Sequence, residues 1–315
     1  MSMKIRKTEI PEVDRIVNDI RNMKVRGALN IAIVATKTMK EVIESGYGNT
    51  EEIILKLKDA GEKLRSSRPT AVSLPNSIDY VLYLAEKRKN LNPDIFKKEL
   101  IGEIDKFIKN MENALERIAE IGSKIVNNND VILTHCNSDT VIAILRKAWK
   151  KGRRFSVIVT ETRPRLQGHI TVKKLLDDGI PVTLIVDSAV CLTMYTKKVD
   201  KVLVGADAVC VNGDIVNKIG TSQIALCAKE NGVKFIVAVE SIKFSPQSMM
   251  GGAIEIEERS PSEVIDRGKL KGVKIYNPAF DITDADKIDM IITEFGIMPP
   301  EAVYQVVREK FSWEF

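Results

Sequence analysis

The stretch VILTHCNSDTVIAIL, residues 131–145, passes from an apolar run through a polar knot and back into apolar periodicity. Its first part reads as a short buried strand, while Val141, Ile142, Ile144 and Leu145 recur at the spacing of a helix. Strand, polar turn and helix make up the repeating unit of a parallel sheet, and the downstream sequence repeats it. FSVIVTE from 155, VTLIVD from 182, KVLVGAD from 201 and KFIVAVE from 234 are apolar runs separated by helical stretches. Strands apolar along their whole length need cover on both faces. Residues 127–315 are therefore expected to form a Rossmann-like, doubly wound α/β domain with a mainly parallel sheet. Turn chemistry at 127-NNND-130, Gly152-Arg153-Arg154 and Gly179-Ile180-Pro181 punctuates it.

Upstream the texture differs. Ile53, Leu55, Leu57 and Leu64, and then Ile101, Ile104, Phe107, Ile108, Met111, Leu115 and Ile118, recur at three and four. Breaks fall at Gly46-Gly48, Arg68-Pro69 and Asn90-Pro93. Residues 1–126 are expected to be an N-terminal helical domain.

The chain has 315 residues, 44% of them hydrophobic, enough for two ordinary cores. Its 48 basic and 43 acidic residues leave a net charge of +5, spread along the sequence, which favours anionic ligands only mildly. No run of about 18 apolar residues and no apolar leader is present, so the expectation is a cytoplasmic protein that engages neither membrane nor nucleic acid. Cys136, Cys191, Cys210 and Cys227 lack C-x-x-C spacing, and with only His135 and His169 to join them no zinc site is expected.

Ligands of a doubly wound sheet bind beyond the carboxyl ends of its strands. The polar residues at those ends are Cys136 to Thr140, Glu161-Thr162-Arg163-Pro164, Asp187-Ser188, Gly205-Ala206-Asp207 and Glu240-Ser241-Ile242-Lys243. Asn137 or Ser138 suits the N-cap of the helix that follows, and its free N–H groups would attract a phosphate and favour a Cys136 thiolate. Packing as a small apolar residue is the other reading of Cys136. His135 points to the opposite face of its strand from Cys136 and reads as a core residue. Asp207, after an almost wholly apolar strand, reads either as a carboxyl kept protonated by its surroundings or as a turn former. Asn212-Gly213 marks a hairpin that returns Asn217 and Lys218 to the same edge. There the helix expected from Gly220 would offer a second N-terminus for an oxyanion. Arg26, before Gly27 and Ala28, and Arg68 stand at helix boundaries, where each reads as a solvated charge or as an anion contact.

Taken in order, Arg26-Gly27-Ala28, Ser67-Arg68-Pro69-Thr70-Ala71, Thr134-His135-Cys136-Asn137, Glu161-Thr162-Arg163-Pro164, Gly205-Ala206-Asp207 and Asn217-Lys218-Ile219-Gly220-Thr221 resemble one superfamily over nearly the whole chain. It unites the alpha, beta and delta subunits of translation initiation factor two-B with isomerases acting on methylthioribose 1-phosphate and ribose 1,5-bisphosphate. The segment from Ile275-Tyr276-Asn277-Pro278 fits it as well. In the isomerase branches a cysteine and an aspartate are the catalytic pair, and Cys136 and Asp207 fill both positions. Lys243, an extra cation beyond the fifth strand, and the wording around it lean to the bisphosphate branch.

The resemblance implies conversion of ribose 1,5-bisphosphate to ribulose 1,5-bisphosphate in nucleoside monophosphate (AMP) salvage, with no cofactor and no metal. It implies Cys136 as thiolate base and Asp207 as proton donor. The phosphates would be held by Arg26, Gly27, Ala28 and Arg68, by Ser138, the Asp139 backbone and Thr140, and by Asn217, Lys218 and Lys243. A homodimer or dimer-based hexamer is implied as the assembly. A regulatory binding subunit and a methylthioribose 1-phosphate isomerase are the alternatives. Met249-Met250-Gly251-Gly252 reads as a loop near the pocket or as solvated surface.

Overall fold

The computed structural model describes residues 11–22, 24–46, 48–68, 72–246, 256–266 and 272–310, so the loop expected at Met249-Met250-Gly251-Gly252 lies outside the described residues. Contacts divide the chain into two units that meet between Asn113 and Ala114. That division falls inside a long helix, whereas the change from helical to strand-rich sequence comes near residue 127.

The first unit is helical: α1 (Pro11–Arg21), α2 (Ala28–Ser45), α3 (Thr50–Arg65), α4 (Ser73–Lys87) and the start of α5 (Pro93–Gly122). Helix α2 buries Ile31, Ala35, Met39, Val42 and Ile43, which face Ile53, Leu57 and Leu64 of α3 and Leu74, Ile78 and Val81 of α4 in sequence period. The Asn49 side chain accepts from the Glu52 N–H at 2.9 Å and caps α3, with Glu51 and Glu52 in the first turn and Lys63 and Arg65 in the last. The expected breaks at Gly46-Gly48 and Asn90-Pro93 fall between α2 and α3 and between α4 and α5, although α4 already ends at Lys87.

The second unit runs β1 (Val131–Thr134), α6 (Asp139–Lys150), β2 (Ser156–Thr160), α7 (Gly168–Asp177), β3 (Val182–Ile185), α8 (Val190–Lys197), β4 (Lys201–Val204), β5 (Ala208–Cys210) and β6 (Ile215–Lys218). It continues with α9 (Thr221–Glu230), β7 (Lys234–Ala238), β8 (Phe244–Ser245), β9 (Phe280–Thr283), β10 (Met290–Thr293), β11 (Gly296–Met298) and α10 (Val303–Lys310). The main sheet has the order β11-β10-β7-β4-β1-β2-β3. Every neighbour pair in it is parallel except β10 with β11. All five strands read from the sequence are present, in a parallel sheet as expected. For β1, β2, β4 and β7 the apolar character follows from cover: Ile132, Val157, Val159, Leu203 and Ile236 share one core with Val141, Ile144 and Leu145 of α6, and the intervening Leu133, Ile158 and Val202 are buried too, whereas the edge strand β3 leaves Thr183 and Leu184 exposed.

Because β2 lies on one side of β1 and β4 on the other, the winding direction reverses between β1 and β4. Doubly wound sheets bind their ligands at such a switch point. The residues following these two strands include Cys136 and Asp207.

Two features were not legible beforehand. A second sheet, β8-β5-β6-β9, is built on the Asn212-Gly213 hairpin and completed by β9, which pairs antiparallel with β6 and sets Asn217 opposite Asp281. Cys191 of α8 and Cys227 of α9, 36 residues apart, form a disulfide with their Cα atoms 5.2 Å apart. No helix among the described residues is long and apolar enough to cross a membrane.

Ile144 is fully buried at the centre of the shared core. Ile144→Ala should cost about 2–5 kcal/mol of unfolding free energy, read from a urea or guanidinium titration.

Candidate active site

The site begins with an unusual backbone. Cys136 follows β1 with φ +67°, and Thr162, after β2, has φ +62°. A residue bearing a β-carbon costs about 1–3 kcal/mol in this region and stays there only when its surroundings over-determine it. Here they do. The Cys136 N–H donates to Thr162 Oγ1 at 2.9 Å, and the Cys136 carbonyl accepts from Thr171 Oγ1 of α7 at 2.8 Å. The Thr162 and Arg163 N–H groups both donate to the Asp187 carboxylate, at 2.8 and 2.7 Å. His135, buried as expected, sits between Thr160 Oγ1 at 2.6 Å and the Ile219 carbonyl at 2.9 Å. Burial pushes the imidazole pKa down despite that carbonyl, so the ring is neutral and donates from Nε2.

The Cys136 sulfur meets opposing influences. Burial pushes the thiol up to about 11, and the Asp207 and Asp187 carboxylates add to the rise. The Asn137 N–H, which donates to the sulfur, and the Lys218 ammonium oppose it without prevailing. The expectation of a thiolate favoured by the following helix is thereby corrected: loss of hydration outweighs the helix end. Lys218 is itself buried, lies 5.2 Å over the Phe280 ring, and has its pKa lowered by burial, with the Cys136 and Asp207 charges opposing the shift and Arg259 reinforcing it. The structure thus brings Cys136, Asp207 and Lys218 within electrostatic reach of one another.

The helix that follows Cys136 starts where expected. Ser138 is the N-cap of α6, its Oγ accepting from the Val141 N–H at 3.4 Å and lying 2.7 Å from Thr140 Oγ1, which in turn donates to the Ala238 carbonyl of β7 at 2.9 Å. Gly205 has to be glycine because a β-carbon there would stand 2.5 Å from Ser138 Oγ. The Asp139 carboxylate is exposed and pairs with Lys174 at 2.9 Å, so it does not cap the first turn of α6, where Ser138 Oγ takes the Val141 N–H.

The second helix end behaves otherwise. The Asp281 carboxylate accepts from the Gly220 N–H at 2.7 Å, from the Ser222 N–H at 3.2 Å and from Ser222 Oγ at 2.9 Å. A carboxylate of β9 thus takes the place at the start of α9 that the sequence reading gave to an oxyanion. Only the β6–β9 pairing, invisible in the sequence, puts it there. The Asn217 amide is also engaged, donating to Thr221 Oγ1 at 3.0 Å.

Lys243 is not a free cation. Its ammonium is buried and pairs with Glu240 at 2.8 Å. Burial alone would lower its pKa, but the Glu240 and Asp207 carboxylates outweigh burial and raise it. Glu294, after β10, accepts from the Ser241 N–H at 3.0 Å and from the Ser241 hydroxyl, which fixes the turn carrying Lys243. Within the first unit, Arg26 and Gly27 are exposed ahead of α2, and the Ala28 carbonyl accepts from Ser73 Oγ at 2.9 Å. Arg68, half-buried, follows the end of α3.

The model of the initiation factor 2 subunit family matches residues 24–300. The chain belongs to the initiation factor 2 subunit family. Within that family it is similar to ribose 1,5-bisphosphate isomerase of Methanocaldococcus jannaschii, at 46% identity over 99% of each chain. It is also similar to the crystal structure of 5-methylthioribose 1-phosphate isomerase from Pyrococcus horikoshii, with a TM-score of 0.75 and 31% identity over 96% of this chain and 88% of that one. The translation initiation factor eIF-2B of the same organism superposes with a TM-score of 0.73 and 30% identity, over 91% and 97% of the two chains.

Several residues around the site of this family member escaped the sequence reading. Thr162 was read as a polar strand end and as part of the Glu161-Thr162-Arg163-Pro164 motif but given no role, Asp187 was read only as a polar strand end, and Thr171 carried no signal, being one threonine on an amphipathic helix. Arg259, half-buried and paired with Glu257 at 3.1 Å, bears on Lys218 from a segment that no periodicity ties to the site.

With its thiol raised to about 11, ligand-free Cys136 should be alkylated by iodoacetamide at a rate that climbs steadily from pH 7 to 10. Because Lys218 favours the thiolate, Lys218→Met should shift that profile to higher pH, as read by peptide-resolved mass spectrometry that separates Cys136 from Cys210.

Proposed function

We propose that this chain interconverts α-D-ribose 1,5-bisphosphate and D-ribulose 1,5-bisphosphate, a step of nucleoside monophosphate salvage. One observation carries the reading: a free thiol and a carboxyl group, Cys136 and Asp207, follow adjacent strands at the switch point and feel each other's charge. Similarity to ribose 1,5-bisphosphate isomerase over the full chain supports it.

The chemistry follows from the protonation state. At rest the thiol carries its proton, so Cys136 becomes a base only once that proton has left the sulfur; Asp207 is assigned as the acid of the pair, with Lys218 stabilising the thiolate. Asp207 gives its proton to the ring oxygen as the C1–O bond breaks, and the Cys136 thiolate takes the proton from C2 to leave an enol phosphate. The enol hydroxyl proton then passes to Asp207 while the thiol returns its proton to C1, which yields the ketone and restores both groups.

The first-turn amides of α6, with Ser138 and Thr140, and the Lys218 ammonium hold one phosphate. Lys243 serves the second, and its pairing with Glu240 makes it a positioned partner of modest net charge. The phosphate roles of Arg26, Gly27, Ala28 and Arg68, like that of Asn217, rest on the sequence motifs. A buried ammonium at this edge suits a phosphate better than the thioether of methylthioribose 1-phosphate.

The assembly is at least a homodimer. Edge strand β3 leaves Leu184 exposed with Val186 beyond it, and α8 leaves Leu192 and Tyr195 exposed, an apolar face fit for a second copy. Light scattering should give at least twice the 35.2 kDa chain mass, and Leu192→Glu with Tyr195→Glu should lower it.

Incubation with ribose 1,5-bisphosphate should produce ribulose 1,5-bisphosphate, with little turnover of methylthioribose 1-phosphate offered in parallel. Cys136→Ser and Asp207→Asn should each lower kcat at least about 100-fold. Near-full turnover by the purified Cys136→Ser protein would overturn the assignment of the base, and inertness of the unaltered protein toward both sugars would favour a regulatory binding subunit.

A further inference from the structure

The Cys136 peptide is gripped at both ends by threonine hydroxyls from elements after β2. Its N–H donates to Thr162 Oγ1 at 2.9 Å and its carbonyl accepts from Thr171 Oγ1 at 2.8 Å. Both threonines are almost wholly inaccessible, at 0% and 1% exposure, so water does not compete for these bonds. Neither residue belongs to the catalytic pair or the phosphate contacts, and Thr162 is further fixed through the bond from its own N–H to Asp187.

We infer that Thr162 and Thr171 are positioning residues which lock Cys136 in its left-handed conformation and so hold the sulfur at the place where it meets Asp207 and Lys218. The reasoning is mechanical. With φ at +67°, Cys136 sits where a residue with a side chain relaxes once the hydrogen bonds to its N–H and carbonyl are released. A rotation of that one residue swings the sulfur, and general acid–base catalysis depends steeply on the distance between the base and its proton. The grip also decides the thiol's environment. Held in place, the sulfur is buried among the Asn137 amide, Asp187, Asp207 and Lys218, whereas released it moves toward solvent, away from the burial that raises its pKa. The inference rests on the isomerase reading for its kinetic consequence and on geometry alone for its effect on the thiol.

Thr162→Val and Thr171→Val each remove the hydroxyl and keep the branched shape, so the backbone demand at Thr162 is unchanged. In each, kcat for ribose 1,5-bisphosphate should fall about 10-fold or more with KM within about 3-fold, since positioning is lost and phosphate contacts are kept. The pH profile of Cys136 alkylation should shift to lower pH. Thr162→Ser and Thr171→Ser, which retain the hydroxyl, should return both readouts to within about 3-fold of the unaltered protein. Valine variants that melt cooperatively yet keep both kcat and the alkylation profile would overturn the inference. So would serine variants as impaired as the valine ones. Should Thr162→Val fail to fold, the Thr171 pair decides by the same criteria. Should the unaltered protein prove inert toward the bisphosphate, the isomerase reading fails, while the alkylation profiles still decide the clamp.

Discussion

The structure of the second unit depends on one constraint: a parallel sheet covered on both faces has no polar side chains to spare along its strands. Ile132, Val157, Leu203 and Ile236 are spent on the core, so hydrogen-bonding and charged groups are driven to the strand ends. At the carboxyl edge they crowd together, and each must find a partner inside the protein. His135 lies between Thr160 and the Ile219 carbonyl, Asp187 takes two amides, Asp281 takes the start of α9, and Glu294 takes Ser241. Loop connections that would otherwise wander are tied down by these bonds, and the switch point between β1 and β4 gathers the groups able to move protons.

Within that edge the balance of charge and burial differs from group to group. Lys243 keeps its proton because the Glu240 and Asp207 carboxylates outweigh the loss of water. Lys218 has no carboxylate paired with it among the described residues, and burial lowers its pKa. Cys136 stands between two carboxylates and one ammonium, and burial decides the result in favour of the neutral thiol. The proposed reaction needs the sulfur as a base, so the chemistry turns on when the thiol gives up its proton, and Lys218 favours that loss.

Much of this was legible in advance because it is local. Apolar runs alternating with helical periodicity placed five strands correctly, from Val131 to Ala238, four of them because a strand hidden on both faces cannot carry polar residues without loss, and the edge strand β3 by its β-branched run. An N-cap at Asn137 or Ser138, of which the structure uses Ser138, Asn212-Gly213 as a hairpin turn and His135 as a core residue each follow from the chemistry of one residue and its neighbours. Chain order alone also put Cys136 and Asp207 at strand ends.

Other properties arise between segments far apart in the chain, and there the sequence was silent. Asp281 closes the end of α9 across 61 residues, Asp187 fixes the turn at Thr162 across 25, and Glu294 reaches Ser241 across 53. The thiol's proton and the joining of Cys191 to Cys227 belong to the same class. The sequence by itself determined the elements, their order and the residue types at the strand ends, because propensity and periodicity act over a few residues. Tertiary structure alone decided which of those residues hold a charge, which are already bonded and which are left to meet a ligand, because burial and distance exist only once the chain has folded.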